Sequence, residues 1–143
     1  MATKDRNPWF YIPTMYFAEG LPYILINIAS VAMYKKMGVS NQLIGLTSIL
    51  YLPWVLKMFW SPVVDVVSTK RWWIILTQIV MFVTFGLVAF SLSTPIFFWL
   101  SVFLFGITAF VSATHDIACD GFYMLALNKE KQAFFVGVRS TFY

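Results

Sequence analysis

Between Trp72 and Leu92 the chain runs 21 residues without one charged side chain. A helix needs about 20 apolar residues to cross about 30 Å of hydrocarbon, so this stretch alone is long enough to span a bilayer. Three comparable runs share the chain. Trp9 to Tyr34 carries only Glu19, Gln42 to Val64 only Lys57, and Pro95 to Leu127 only Asp116 and Asp120 beside His115. These runs are too long and too unbroken for barrel strands of about 9–11 alternating residues. The expected fold is therefore all-α, a polytopic membrane protein with spans at about 9–34, 42–64, 72–92 and 95–127. A further apolar start at 132–143 holds Arg139. It reads as the beginning of a fifth helix in a longer product, or as a helix lying in the interface.

Composition agrees. The chain is 60% hydrophobic and only 11% charged, whereas soluble domains carry about 25% charged residues. A net charge of +4 does not imply nucleic acid, because the basic residues lie singly or in pairs and form no stripe. One cysteine, Cys119, excludes an intrachain disulfide framework. No cofactor and no metal set is expected.

The breaks between runs carry turn chemistry: Gly38-Val39-Ser40-Asn41, Ser68-Thr69-Lys70-Arg71, Ser93-Thr94-Pro95 and Asn128-Lys129-Glu130-Lys131. Ser40 or Asn41 suits a helix N-cap, and Pro95 suits a first turn. With the N-terminus inside, the inner side holds Lys4, Arg6, Lys70, Arg71, Lys129 and Lys131, and the outer side Lys35 and Lys36. That bias puts the N-terminus in the cytoplasm. Trp72 and Trp73 suit an inner interface anchor.

Ionisable groups inside spans are costly and default to functional hypotheses. Glu19 falls about 15 Å along its run, near mid-membrane, and Pro22 breaks the helix just beyond it. Secondary transporters build binding sites from such broken helices; a protonated Glu that only packs is the alternative. Lys57, Asp116, Asp120 and Arg139 are expected in the inner half, where opposite charges can pair across helices. Asp116, Asp120 and Tyr123 share one helical face, with His115 and Cys119 beside it. Two neighbouring carboxylates call for a proton or a cation, which suits a proton relay or a salt-bridged gate. A polar face that only holds helices together is the other reading. A Cys-His nucleophile pair has no special support, and no enzyme is expected.

Trp60-Ser61-Pro62-Val63-Val64-Asp65 followed by Lys70-Arg71 resembles the inner loop of the major facilitator superfamily. Ser61 stands in place of the usual glycine, and Val66 where a basic residue often follows. Joined with Glu19-Gly20-Leu21-Pro22, Leu52-Pro53-Trp54-Val55-Leu56-Lys57 and Ala113-Thr114-His115-Asp116-Ile117-Ala118-Cys119-Asp120-Gly121, the chain is similar to AmpG-type muropeptide permeases and the related acetyl-CoA transporters. The resemblance implies a twelve-helix bundle of which this chain is the first four helices and the start of the fifth. It implies proton-driven import of muropeptides or related cell-wall fragments through a bacterial inner membrane, for peptidoglycan recycling. The partners would be lipid, a small polar solute, protons and the remainder of the same transporter chain. Glu19, Lys57, His115, Asp116, Asp120, Tyr123 and Arg139 would line the substrate and proton pathway. Asp65, Lys70 and Arg71 would latch the inner loop. The rival from another class is a self-contained four-helix membrane protein, an assembly factor or a small membrane-bound transferase using His115 and Cys119.

Overall fold

The structure, a computed structural model, describes residues 7–142. Lys4 and Arg6 of the orientation argument lie outside these residues, as does Tyr143. The described residues form helices and turns, with no strand among them. The helices are α1 (Pro8–Lys36), α2 (Asn41–Phe59), α3 (Ser61–Val67), α4 (Lys70–Ser91), α5 (Phe97–Ala126) and α6 (Lys129–Phe142). Four of them, α1, α2, α4 and α5, are long and apolar enough to cross a membrane.

Local chemistry sets the boundaries. Gly38 reverses the chain after α1 at φ +77°, a conformation that side chains with a Cβ rarely adopt. Ser40 then caps α2, its hydroxyl accepting from Leu43 N, and Thr69 caps α4, accepting from Trp72 N. Pro95 lies outside the helix it was expected to open, because α5 begins at Phe97 without a side-chain cap. The second span also differs from its expected single run: a turn at Trp60 separates α2 from α3.

Neither α1 nor α2 is regularly wound. Pro22 has no N–H to donate within its helix, and Leu25–Ala29 just beyond it forms a π turn. In α2, Thr47–Tyr51 and Lys57–Phe59 are 3-10 turns. The π turn packs against the first of these 3-10 turns.

Helix α5 is the hub and touches α1, α2, α3 and α4. Hydroxyl bonds reinforce this packing: Thr108 Oγ1 donates to Thr84 Oγ1 at 2.8 Å, Tyr34 and Ser101 share a bond of 2.7 Å, and Trp60 Nε1 donates to Thr114 Oγ1 at 3.2 Å. Apolar burial cannot drive helices together in lipid, so small residues and interhelical hydrogen bonds take that role. Around this hub, Phe10, Val66, Phe82, Phe90 and Leu125 point outward and are exposed. Less than two-fifths of each spanning window is buried inside the protein, and the remaining apolar surface requires an apolar surrounding.

Candidate functional site

Glu19, Lys57, Asp116, Arg139 and Ser140 line one cavity of about 350 Å³. Five residues from four helices thus converge, and four of them are ionisable. Their convergence follows from where each lies on its own helix. Glu19 sits about 5 Å before the middle of α1, and Asp116 about 7 Å past the middle of α5. Lys57 sits about 5 Å past the middle of the continuous stretch 41–67. The N-terminal end of α1 and the C-terminal ends of the other two lie on one side, so the three charges reach a common level. Counting depth from the expected starts separates Glu19 from the other charges, because α1 and α5, at 29 and 30 residues, are much longer than the about 20 that cross the hydrocarbon.

Each cation has its own carboxylate. Lys57 Nζ lies 2.5 Å from Asp116 Oδ2. Arg139 Nη2 lies 2.8 Å from Asp120 Oδ1, and its guanidinium stands 4.8 Å over the Tyr16 ring. The Tyr16 hydroxyl donates to the same Asp120 oxygen at 3.3 Å. Sequence reasoning missed Tyr16. It lies three residues before Glu19 on α1, and that i, i+3 spacing was the available signal.

Glu19 is 1% exposed and lines the same cavity as Asp116. Glu19 Oε2 and Asp116 Oδ1 are both buried without a hydrogen-bond partner. Two carboxylates are acceptors only and cannot satisfy one another. One proton on either turns it into a donor to the other. The three carboxyls Glu19, Asp116 and Asp120 face the two cations Lys57 and Arg139, so a single bound proton also makes this cluster neutral.

The other expected residues lie elsewhere. His115 and Cys119 are fully buried and face one another at 3.6 Å; neither lines the cavity. Tyr123 donates to Gln132 O at 2.5 Å and meets Tyr16 edge-on, so it ties α5 to α6 and α1. Asp65 and Lys70 form an ion pair beside the α3–α4 turn. The Lys70 stem crosses α5 at Gly121, where an added Cβ would fall 2.6 Å from Lys70 Cε. Arg71 is exposed.

The chain is 28% identical to an uncharacterized membrane protein of Saccharomyces cerevisiae over 92% of its own length and 28% of that protein. It is 28% identical to the putative transporter AmpG 4 of Rickettsia conorii, over 87% of the chain and 32% of the relative. It is 29% identical to the anhydromuropeptide permease of Escherichia coli K12, over 73% of the chain and 22% of the permease. The chain thus spans about a quarter to a third of the length of the curated relatives it matches. No family model and no solved structure matches it. The chain is a multi-pass helical membrane protein, similar to membrane proteins that include named transporters.

Proposed function

We propose that the protein is a secondary-active, proton-coupled transporter of a small polar solute, built as the first part of a major-facilitator bundle. Alternating access rocks this helical unit against a second one around the buried cluster. What supports the reading is the pair of orphaned oxygens on Glu19 and Asp116, in a cavity that also holds Lys57 and Arg139. A proton arriving on Glu19 lets it donate to Asp116 and neutralises the cluster. Its loss restores a net negative charge beside Lys57 and weakens the hold of Asp116 on one partner. The bonds among α1, α2, α5 and α6 therefore differ between the two protonation states, and that difference is what coupling requires. Asp65 and Lys70 latch the inner turn, with Arg71 as a free cation on its exposed side.

The solute is proposed to be a muropeptide or a related cell-wall fragment, as the name of the Escherichia coli relative suggests. The N-terminus is proposed to face the cytoplasm. The expectation of a bacterial inner membrane is broadened, since yeast proteins match the chain as well as bacterial ones do. The test is uptake of an anhydromuropeptide into membrane vesicles holding the protein as its gene encodes it. An imposed pH gradient should drive accumulation. Uptake that ignores the gradient would refute the coupling, and absence of uptake would refute the solute.

A further inference from the structure

A second cavity, of about 280 Å³, lies between α1 and α2 and is lined by Asn27, Val31, Ile44, Thr47, Ser48 and Tyr51. It contains no charged residue. Three of its polar side chains have already committed protons to the backbone. Asn27 Nδ2 donates to Tyr23 O at 3.1 Å, Thr47 Oγ1 to Ile44 O at 2.7 Å, and Ser48 Oγ to Gly45 O. A hydroxyl has one proton to give, so Thr47 and Ser48 are left as acceptors, as is Asn27 Oδ1. The lining is neutral and offers both kinds of partner, since Asn27 keeps one amide proton and the Tyr51 hydroxyl can donate as well as accept.

The two cavities lie in register along the same pair of helices. Glu19, Tyr23 and Asn27 follow one another at four-residue spacing on α1, and Lys57, Trp54, Tyr51 and Ser48 at three-residue spacing on α2. Tyr23 packs edge-on against both Trp54 and Tyr51, with centroids 5.3 and 6.0 Å apart. These three rings separate the charged cavity from the neutral one by about 12 Å. The backbone is irregular at the same level, since the π turn of α1 meets the first 3-10 turn of α2 there. Non-helical backbone at membrane depth is tolerated where it is buried in protein or lines a water-filled cavity.

We infer that this second cavity is a solute subsite for an uncharged polar group that both donates and accepts, such as a sugar hydroxyl or an amide, gated from the charged cavity by Tyr23, Tyr51 and Trp54. The inference rests on the transport reading above and names where the neutral part of the solute sits. A charged group would meet no countercharge here to offset its desolvation.

The test uses Ser48→Cys in a Cys119→Ala background, in membranes, labelled with a maleimide. N-acetylglucosamine serves as the uncharged probe, and acetate as the charged one. Labelling should slow about fivefold in N-acetylglucosamine at about four times its dissociation constant, as simple occupancy requires. Acetate should leave the rate unchanged. Asn27→Leu should abolish the protection while leaving the cysteine reactive. No protection by N-acetylglucosamine, or equal protection by acetate, would overturn the inference. If protection fails while gradient-driven anhydromuropeptide uptake persists, the subsite alone is wrong. If protection holds while anhydromuropeptide uptake fails, the subsite stands and the proposed solute falls.

Discussion

Removing one partner of the Lys57–Asp116 pair should destabilise the protein unequally depending on which partner goes. The pair spans 2.5 Å, with the Asp116 side chain 4% exposed and the Lys57 side chain 34% exposed. Breaking a buried pair costs about 3–5 kcal/mol, because the survivor is an uncompensated charge. Breaking an exposed one costs about 0–1 kcal/mol. Asp116→Asn strands Lys57, whose end reaches the cavity, so the cost falls between these ranges at about 2 kcal/mol. Lys57→Met strands Asp116, which is almost wholly enclosed, and belongs in the buried range at about 3 kcal/mol. With both changes no buried charge is left unpaired. The double variant should therefore be more stable than Lys57→Met alone, with a coupling of about 3 kcal/mol. The assay is unfolding of all four proteins in one detergent by a titrated denaturant. Additive losses, within about 0.5 kcal/mol, would mean that the two side chains do not interact. A larger loss for Asp116→Asn than for Lys57→Met would refute the burial argument.

Three further outcomes follow from the geometry. Gly121→Ala places a Cβ against the flexible end of Lys70 while gaining about 1 kcal/mol of helix propensity, so its melting temperature should barely move; Gly121→Leu should displace Lys70 and lower it clearly. Tyr16→Phe keeps the ring under Arg139 and loses only a 3.3 Å bond to Asp120, which should cost under about 1 kcal/mol, whereas Tyr16→Ala loses both and should cost about 2 kcal/mol by denaturant titration. A cysteine at Ser40, with Cys119 replaced, should react with an impermeant maleimide in intact cells; reaction only after lysis would invert the topology.

The helices and their isolated charges were legible because a long apolar run tolerates few charges, and those it keeps stand out. Pro22 was legible as a break for the same reason. Partner choice was not. Position along a helix gives depth, but rotation about the axis and lateral packing decide whether Asp116 meets Lys57 or Arg139. Arg139 pairs with Asp120 because α6 folds back beside α1, and no spacing rule in the sequence encodes that return. His115 and Asp116 are adjacent in sequence yet diverge, since successive residues point about 100° apart on a helix. The second cavity was missed because Asn27 lies far from Thr47 and Ser48 in sequence and none of them carries a charge, and only the meeting of two irregular turns gives them a shared space. Ser140 was missed for a similar reason, as a single hydroxyl at the cavity edge.

One proton held between Glu19 and Asp116 is proposed to couple the pH gradient to movement of solute. Glu19→Gln keeps the shape and supplies a permanent donor to Asp116, so the site mimics its protonated state at every pH. Uptake driven by an imposed pH gradient should be measured beside exchange of labelled for unlabelled anhydromuropeptide at equal pH, in the same vesicles. The variant should lose gradient-driven accumulation and keep exchange, since exchange needs no change of protonation. Accumulation at the unsubstituted rate in Glu19→Gln would contradict the claim, because transport would then proceed without the proton that the site is said to carry.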